Sequence, residues 1–105
     1  MERINIMKKV AIVGSRDYLY TGWVVQFCKL LNRDTVIISG AARGVDQMAS
    51  YSARACGLGL REFPADWDKF GKTAGFMRNK DIVNEADIIV TFWDGQSKGT
   101  ASTIK

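Results

Sequence analysis

The stretch Val36-Ile37-Ile38-Ser39-Gly40-Ala41-Ala42-Arg43-Gly44-Val45-Asp46 reads as a buried strand that runs into a glycine turn and then a helix. Val36, Ile37 and Ile38 form a short apolar run, and Gly40 lets the backbone turn tightly. Gly44 leaves room where a helix beginning near Val45 exposes unpaired N–H groups, so the corner can receive an anion. Any strand-to-helix turn favours glycine, so the corner alone supports a structural and a functional reading equally. The flanking chain has to separate them.

Upstream, Lys8-Lys9-Val10-Ala11-Ile12-Val13-Gly14 is a continuous apolar run of the kind buried on both faces of a parallel sheet, and it ends at a second glycine corner, Gly14-Ser15-Arg16-Asp17. From about residue 21 to 32, Val24, Phe27, Cys28 and Leu31 recur at helical spacing and predict an amphipathic helix. Downstream, a helix over about 45–56 carries Val45, Ala49, Ser52 and Cys56 on a narrow, small-residue face, with Gly57 as its stop. Residues 58–63 read as a short strand. Arg61 and Glu62 put it at a sheet edge, and the single proline, Pro64, closes it. A polar and aromatic loop over 65–72 leads to a helix over about 73–84, with Thr73 as its N-cap. The apolar face of that helix is not clean, so the direction of Arg78 and Asn79 stays open. The strongest strand, Asp87-Ile88-Ile89-Val90-Thr91-Phe92-Trp93, runs into Asp94-Gly95-Gln96-Ser97-Lys98-Gly99-Thr100 and a stub of helix.

Strands and helices therefore alternate, which predicts an α/β fold: a Rossmann-like three-layer sandwich on a mainly parallel four-stranded sheet of order 3-2-1-4. Residues 1–105 form one domain in this reading. The carboxyl ends of all strands face one edge, and a ligand crevice is expected where the order reverses, between the first and fourth strands.

Composition narrows the chemistry. The 105 residues are 47% hydrophobic and 25% charged, with no apolar run near the ~20 residues of a membrane span. The charged N-terminus lacks a signal-peptide core, so a cytoplasmic protein without membrane attachment is expected. The chain contains no histidine, which removes imidazole bases and the Ser/His/Asp and Cys/His nucleophile systems. Cys28 and Cys56 lie among apolar residues and read as buried free thiols, with no metal site expected. A net charge of +4, from 15 basic and 11 acidic residues, favours an anionic partner without amounting to a polybasic tail.

Every predicted strand end carries turn glycines or polar residues, and a parallel fold gathers them. Gly14, Ser15 and Arg16, then Ser39, Gly40, Arg43 and Gly44, then Asp94, Ser97, Gly99 and Thr100 supply backbone and hydroxyl donors to one crevice. That convergence favours nucleotide binding over plain loops. Arg16, Arg43, Arg78 and Lys98 are candidates to bond phosphate, each with a solvated loop cation as its alternative. Trp67 and Trp93 are base-stacking candidates, Trp93 equally a core residue. Asp46 suits the helix dipole and could equally hold a ribose hydroxyl. Neither GxGxxG nor GxxxxGK[ST] occurs, which argues against a conventional NAD dehydrogenase or P-loop ATPase.

Val13-Gly14-Ser15-Arg16, Ser39 through Asp46, Ala65-Asp66-Trp67, Gly71 with Ala74-Gly75 and Arg78-Asn79, and Phe92 through Gly95 with Ser97 through Thr100 together resemble the YspA-type family of the SLOG (Smf/DprA-LOG) superfamily, in order over residues 8–105. The resemblance implies a Rossmann-like fold and a pocket for a nucleotide or nucleotide derivative, ADP-ribose-like or NAD-derived molecules among them. It implies Arg78 and Asn79 as members of that pocket. The LOG phosphoribohydrolases of the superfamily carry a glutamate three residues after the Gly-Thr pair of their last glycine motif, and Thr103 stands there in this sequence.

Three functions follow. The first is nucleotide binding as a sensor or carrier, and the second is an N-glycosidic hydrolase with Arg78, Asp46 or Asp94 as catalytic candidates. The third is binding of single-stranded nucleic acid along the basic loops, as in the Smf/DprA branch. The family usually continues beyond the point corresponding to Lys105. Either the chain is part of a longer one or another chain completes it, so a homo-oligomer joined through the fourth strand is expected.

Overall fold

The structure is a computed structural model that describes residues 8–15, 17, 18 and 20–92. Strands β1 (Lys9–Gly14), β2 (Val36–Ser39), β3 (Gly59–Glu62) and β4 (Ile88–Phe92) form one sheet of order β3-β2-β1-β4. All three pairings are parallel, and their registers bring Gly14 level with Phe92 and Ser39 level with Glu62. The strand ends that carry the glycine corners therefore share one edge, in the order the sequence predicts.

Helices cover both faces. α1 (Gly22–Lys29) and α2 (Val45–Ala55) pack on one side, where Val10, Ile12 and Ile37 meet Val24, Cys28, Val45, Ala49 and Ala53. α4 (Ala74–Glu85) covers the other side through Ile82, which packs on Ala11, Val13 and Ile38. Consecutive β1 residues thus point to opposite layers and both sets are buried, which is why the strand reads as an unbroken apolar run. The small residues of α2 let it lie close to the sheet, and Ala49, Ser52 and Ala53 are fully buried.

α2 ends in a complete Schellman motif. Gly57 adopts φ +70, its N–H donates to Arg54 O at 3.3 Å, and Leu58 N–H donates to Ala53 O at 2.9 Å. Leu58 then buries itself beside Ala53, so the motif turns the chain directly into β3. On the opposite layer, Lys9 Nζ reaches Glu85 Oε1 at 2.8 Å, and Arg61 bonds the same oxygen. The Lys9 bond first, then the nearby Arg61, hold the Glu85 carboxyl below its ordinary pKa.

The segment 65–72 differs from the loop that composition predicts. It holds a helical turn, α3 (Trp67–Phe70), followed by a 3-10 turn over Gly71–Thr73. Asp66 caps α3 by accepting from Lys69 N at 3.1 Å. Thr73 does sit at the N-cap of α4, yet its hydroxyl donates backwards to Phe70 O at 2.9 Å and does not cap the helix.

Cys28 is buried and Cys56 half-buried, both as free thiols. Burial first, and the neighbouring Cys56 second, push the Cys28 thiol from 9.0 up to about 11. A raised thiol pKa means that the fold favours the protonated form, so that contribution to stability is fully present below pH 9.0 and is lost as pH rises towards 11. Cys28 should accordingly carry about a hundredfold less thiolate than an exposed cysteine near neutral pH. Iodoacetamide labelling at pH 8 read by mass spectrometry should leave Cys28 unmodified in the folded chain, and labelling of Cys28 as fast as in urea would contradict this packing.

Candidate functional site

The corner after β2 is organised by Ser39. Its fully buried hydroxyl donates to the backbone carbonyl of Asp46 at 2.8 Å and accepts from Ala41 N–H at 3.1 Å. One side chain thus ties the strand end, the loop and the first turn of α2 together. Removing it leaves buried backbone groups without that partner, so Ser39→Ala should lower the unfolding free energy by about 1–3 kcal/mol. Urea denaturation measures this; a change below a few tenths would mean the tie is dispensable.

The two glycines of the corner serve different ends. Gly40 is the point of close approach, where an added Cβ would lie 2.6 Å from Asp46 Oδ2 and 2.8 Å from Arg78 Nη1. Gly44 is the conformational glycine, with φ +83 and ψ −128 at the N-cap of α2. Ala41 also has a positive φ, +59, which an alanine adopts only at about 1–2 kcal/mol. A strained residue held in place by its neighbours is a feature that accompanies ligand loops.

Arg78 reaches this corner from α4. Nη1 donates to Gly40 O at 2.5 Å, and Nε donates to Asn79 Oδ1 at 2.8 Å. The half-buried guanidinium and the buried Asp46 carboxylate therefore both abut Gly40, one from each helical layer. Around them lies a cavity of about 340 Å³ lined by Gly40, Ala41, Ala42 and Arg43 from the corner, Pro64 and Ala65 after β3, Trp67 of α3, and Arg78. Trp67 is 53% exposed, and its ring edge leans over Gly75, whose added Cβ would lie 3.6 Å from it. A planar ring, an arginine and a strained backbone loop line a volume suited to a small polar ligand.

Of the residues the sequence singles out, Gly40, Arg43, Trp67 and Arg78 line this cavity, and Ser39, Gly44, Asp46 and Asn79 flank it or hold its walls. Gly14 and Ser15 do not line it. At the end of β1, Ser15 N–H donates to Phe92 O at 3.2 Å, and Ser15 O accepts from Val45 N–H at 3.4 Å. A Cβ on Gly14 would meet Phe92 O at 2.4 Å and Val45 Cβ at 2.6 Å, so this junction is tightly packed. Among the described residues a cavity opens over the ends of β2 and β3. The crevice that strand order puts between β1 and β4 involves residues after Phe92, which lie outside the described residues. α3 contributes Trp67 to the wall of this cavity. Arg16, Trp93, Asp94, Ser97, Lys98, Gly99, Thr100 and Thr103 lie outside the described residues.

Sequence reasoning missed Ala41, Ala42, Pro64 and Ala65 as lining residues, because they contribute backbone and small surface with no chemical signature. Among the described residues, no group of three or more His, Cys, Asp or Glu side chains is placed to hold a metal ion. No helix among them is long and apolar enough to cross a membrane.

The family model for DNA recombination-mediator protein A matches residues 2–60, the span that contains both glycine corners. The chain belongs to that family. Membership puts it in the Smf/DprA-LOG superfamily that its motifs resemble. Gene 61 protein of Mycobacterium phage D29 is 34% identical over 105 residues, covering 90% of this chain and 83% of that protein. The fold is similar to that of DNA processing protein A (DprA) of Streptococcus pneumoniae, with a TM-score of 0.81 at 22% identity over 93% of this chain and 46% of that one. It is also similar to that of the protein TM1055, with a TM-score of 0.66 at 23% identity over 93% of this chain and 66% of that one. This chain therefore spans about half the length of the DprA structure.

Proposed function

We propose that residues 1–105 act as a single nucleotide-binding domain that holds a phosphorylated nucleotide at the corner after β2, as a sensor or carrier. The observation that carries this is the approach of the Arg78 guanidinium to Gly40 beside a strained loop and an exposed indole. Arg78 and Arg43 offer charge-assisted bonds to phosphate, and the loop offers backbone N–H groups. Trp67 offers a face on which a base stacks. Gly14, Ser15 and Arg16, with Asp94, Ser97, Gly99 and Thr100, are proposed to complete the binding surface from the β1 and β4 side. An ADP-ribose-like or NAD-derived ligand, as in the YspA-type reading, suits the same groups.

Family membership favours a second form of this reading. Both the recombination-mediator protein and the S. pneumoniae relative are named for DNA, so the bound nucleotide can be one unit of a single strand. The hydrolase reading is weaker, since Thr103 stands at the LOG glutamate position.

A thermal-shift panel of AMP, ADP-ribose, NAD, cyclic nucleotides and oligothymidylate tests this. Any ligand that binds only the folded chain raises its Tm by mass action. At least one member of the panel should do so, and no response from any of them contradicts the proposal. Chromatographic detection of free base from nucleoside monophosphates would instead establish turnover.

A further inference from the structure

Residues 66–73, beside the cavity, form an unbroken exposed run that includes Trp67 and Phe70. The run lies between two fixed points. Before it, Phe63 N–H donates to Ser39 O at 2.8 Å, and after it Ala74 is buried at the start of α4. Neither α3 nor the 3-10 turn that follows buries a side chain, so the segment lacks the apolar anchoring that fixes α1, α2 and α4 to the sheet.

The bonds that shape the segment are internal to it. Asp66 caps α3 with its side chain, and its carbonyl accepts from Phe70 N–H at 3.0 Å. Thr73 Oγ1 donates to Phe70 O, and the Lys69 ammonium stands 5.1 Å from the centre of the Phe70 ring. A unit tied to itself more than to its surroundings moves as one piece. Gly71 supplies a joint: it has φ +55 and ψ −133, with open space where a Cβ would stand. On the other side of α3, Pro64 and Ala65 line the cavity together with Trp67.

We propose that residues 66–73 are a lid that turns on Gly71 and the Pro64–Ala65 step and closes Trp67 over a bound nucleotide. The proposal rests on the nucleotide-binding reading of the cavity. A ligand drives closure only by binding the closed form more tightly than the open one. Arg78 and the corner after β2, which hold the phosphate, lie outside the lid and serve both forms alike. The lid itself sets Asp66 and Asp68 against Lys69 and Lys72, a balanced charge on which a phosphate exerts little net pull. The base is what separates the two forms, because closure covers its face with the indole. The lid thus reads the base, and a sugar phosphate without one leaves it open.

Hydrogen exchange followed by mass spectrometry tests this on the whole chain, alone and with millimolar dTMP or deoxyribose phosphate. Saturation with dTMP should slow exchange over residues 66–73 by about tenfold or more, and deoxyribose phosphate should leave it unchanged. Trp67→Ala should remove the protection that dTMP confers. Asp66→Ala frays the turn that carries the indole and should speed dTMP dissociation about fivefold in stopped flow, while Asp66→Asn, which also caps a helix, should restore the wild-type rate.

Binding of dTMP with unchanged exchange over residues 66–73 would overturn the lid and leave the nucleotide reading standing. Equal protection by dTMP and deoxyribose phosphate would overturn the base as its trigger. Failure of dTMP to bind at all would overturn the nucleotide reading and the lid with it.

Discussion

Arg78→Ala is expected to weaken nucleotide binding by roughly 10–150-fold, the worth of a charge-assisted contact of about 1.5–3 kcal/mol. Stability should fall much less, by about 1 kcal/mol, since the guanidinium also holds Gly40 O at 2.5 Å. Two features of the site support that division. Arg78 reaches the cavity from α4 while the backbone loop reaches it from β2, so the side chain bridges the two helical layers. Its Nε is already engaged by Asn79, which fixes the plane of the fork before any ligand arrives. Arg78→Lys keeps the charge and loses the fork, and should recover only part of the affinity. Calorimetric titration together with urea denaturation of the same variants separates the two roles. An Arg78→Ala chain that binds like the wild type would make the arginine purely architectural.

The largest effect on folding is expected at Gly14. A methyl group there would stand 2.4 Å from Phe92 O and 2.6 Å from Val45 Cβ and Cγ2. Neither neighbour can yield locally. The carbonyl belongs to the β4 backbone at its junction with β1, and Val45 is fully buried in the first turn of α2. Relief requires α2 to lift from the sheet or β4 to part from β1. Gly14→Ala should therefore destabilise by about 3 kcal/mol, which lowers Tm by on the order of 10–20 °C in a chain of this size. Gly57→Ala, at φ +70 with open space around its Cβ, isolates the effect of backbone conformation alone and should cost about 1 kcal/mol. A Gly14→Ala chain that melts with the wild type would show that the junction is looser than its contacts imply.

The contrast between Gly14, Gly40 and Gly44 explains what was legible in the sequence. Strand order and layer structure follow from Val10 to Val13, Val36 to Ile38 and Ile88 to Val90, because parallel strands covered on both faces must be apolar throughout. The helix stop at Gly57 is equally readable, since few residues take that φ. The separate duties of the site glycines are not. Gly40 is needed for the approach of Asp46 and Arg78, two side chains distant in sequence, and Gly44 for its own dihedral angles. A glycine letter does not say which constraint it answers.

Arg78 shows the same limit. Its helix has Phe76, Met77 and Val83 exposed, so apolar periodicity misstates which face meets the sheet, and only Ala74 and Ile82 are buried. The bond to Gly40 O, across 38 residues, decides its direction. The part of the wall that carries Trp67 is also hidden, because α3 is a single turn capped by Asp66 and too short to leave a periodic signal.

The central claim, that the corner after β2 receives a phosphate, is tested most directly by following backbone amides during a titration with dTMP in ¹H–¹⁵N NMR. The amides of Gly40, Ala41, Ala42, Arg43 and Gly44 and the Trp67 indole should shift together with one dissociation constant, and Gly44→Asp should abolish the response. Shifts confined to other surfaces, or no shift at millimolar dTMP with the fold intact, would contradict it.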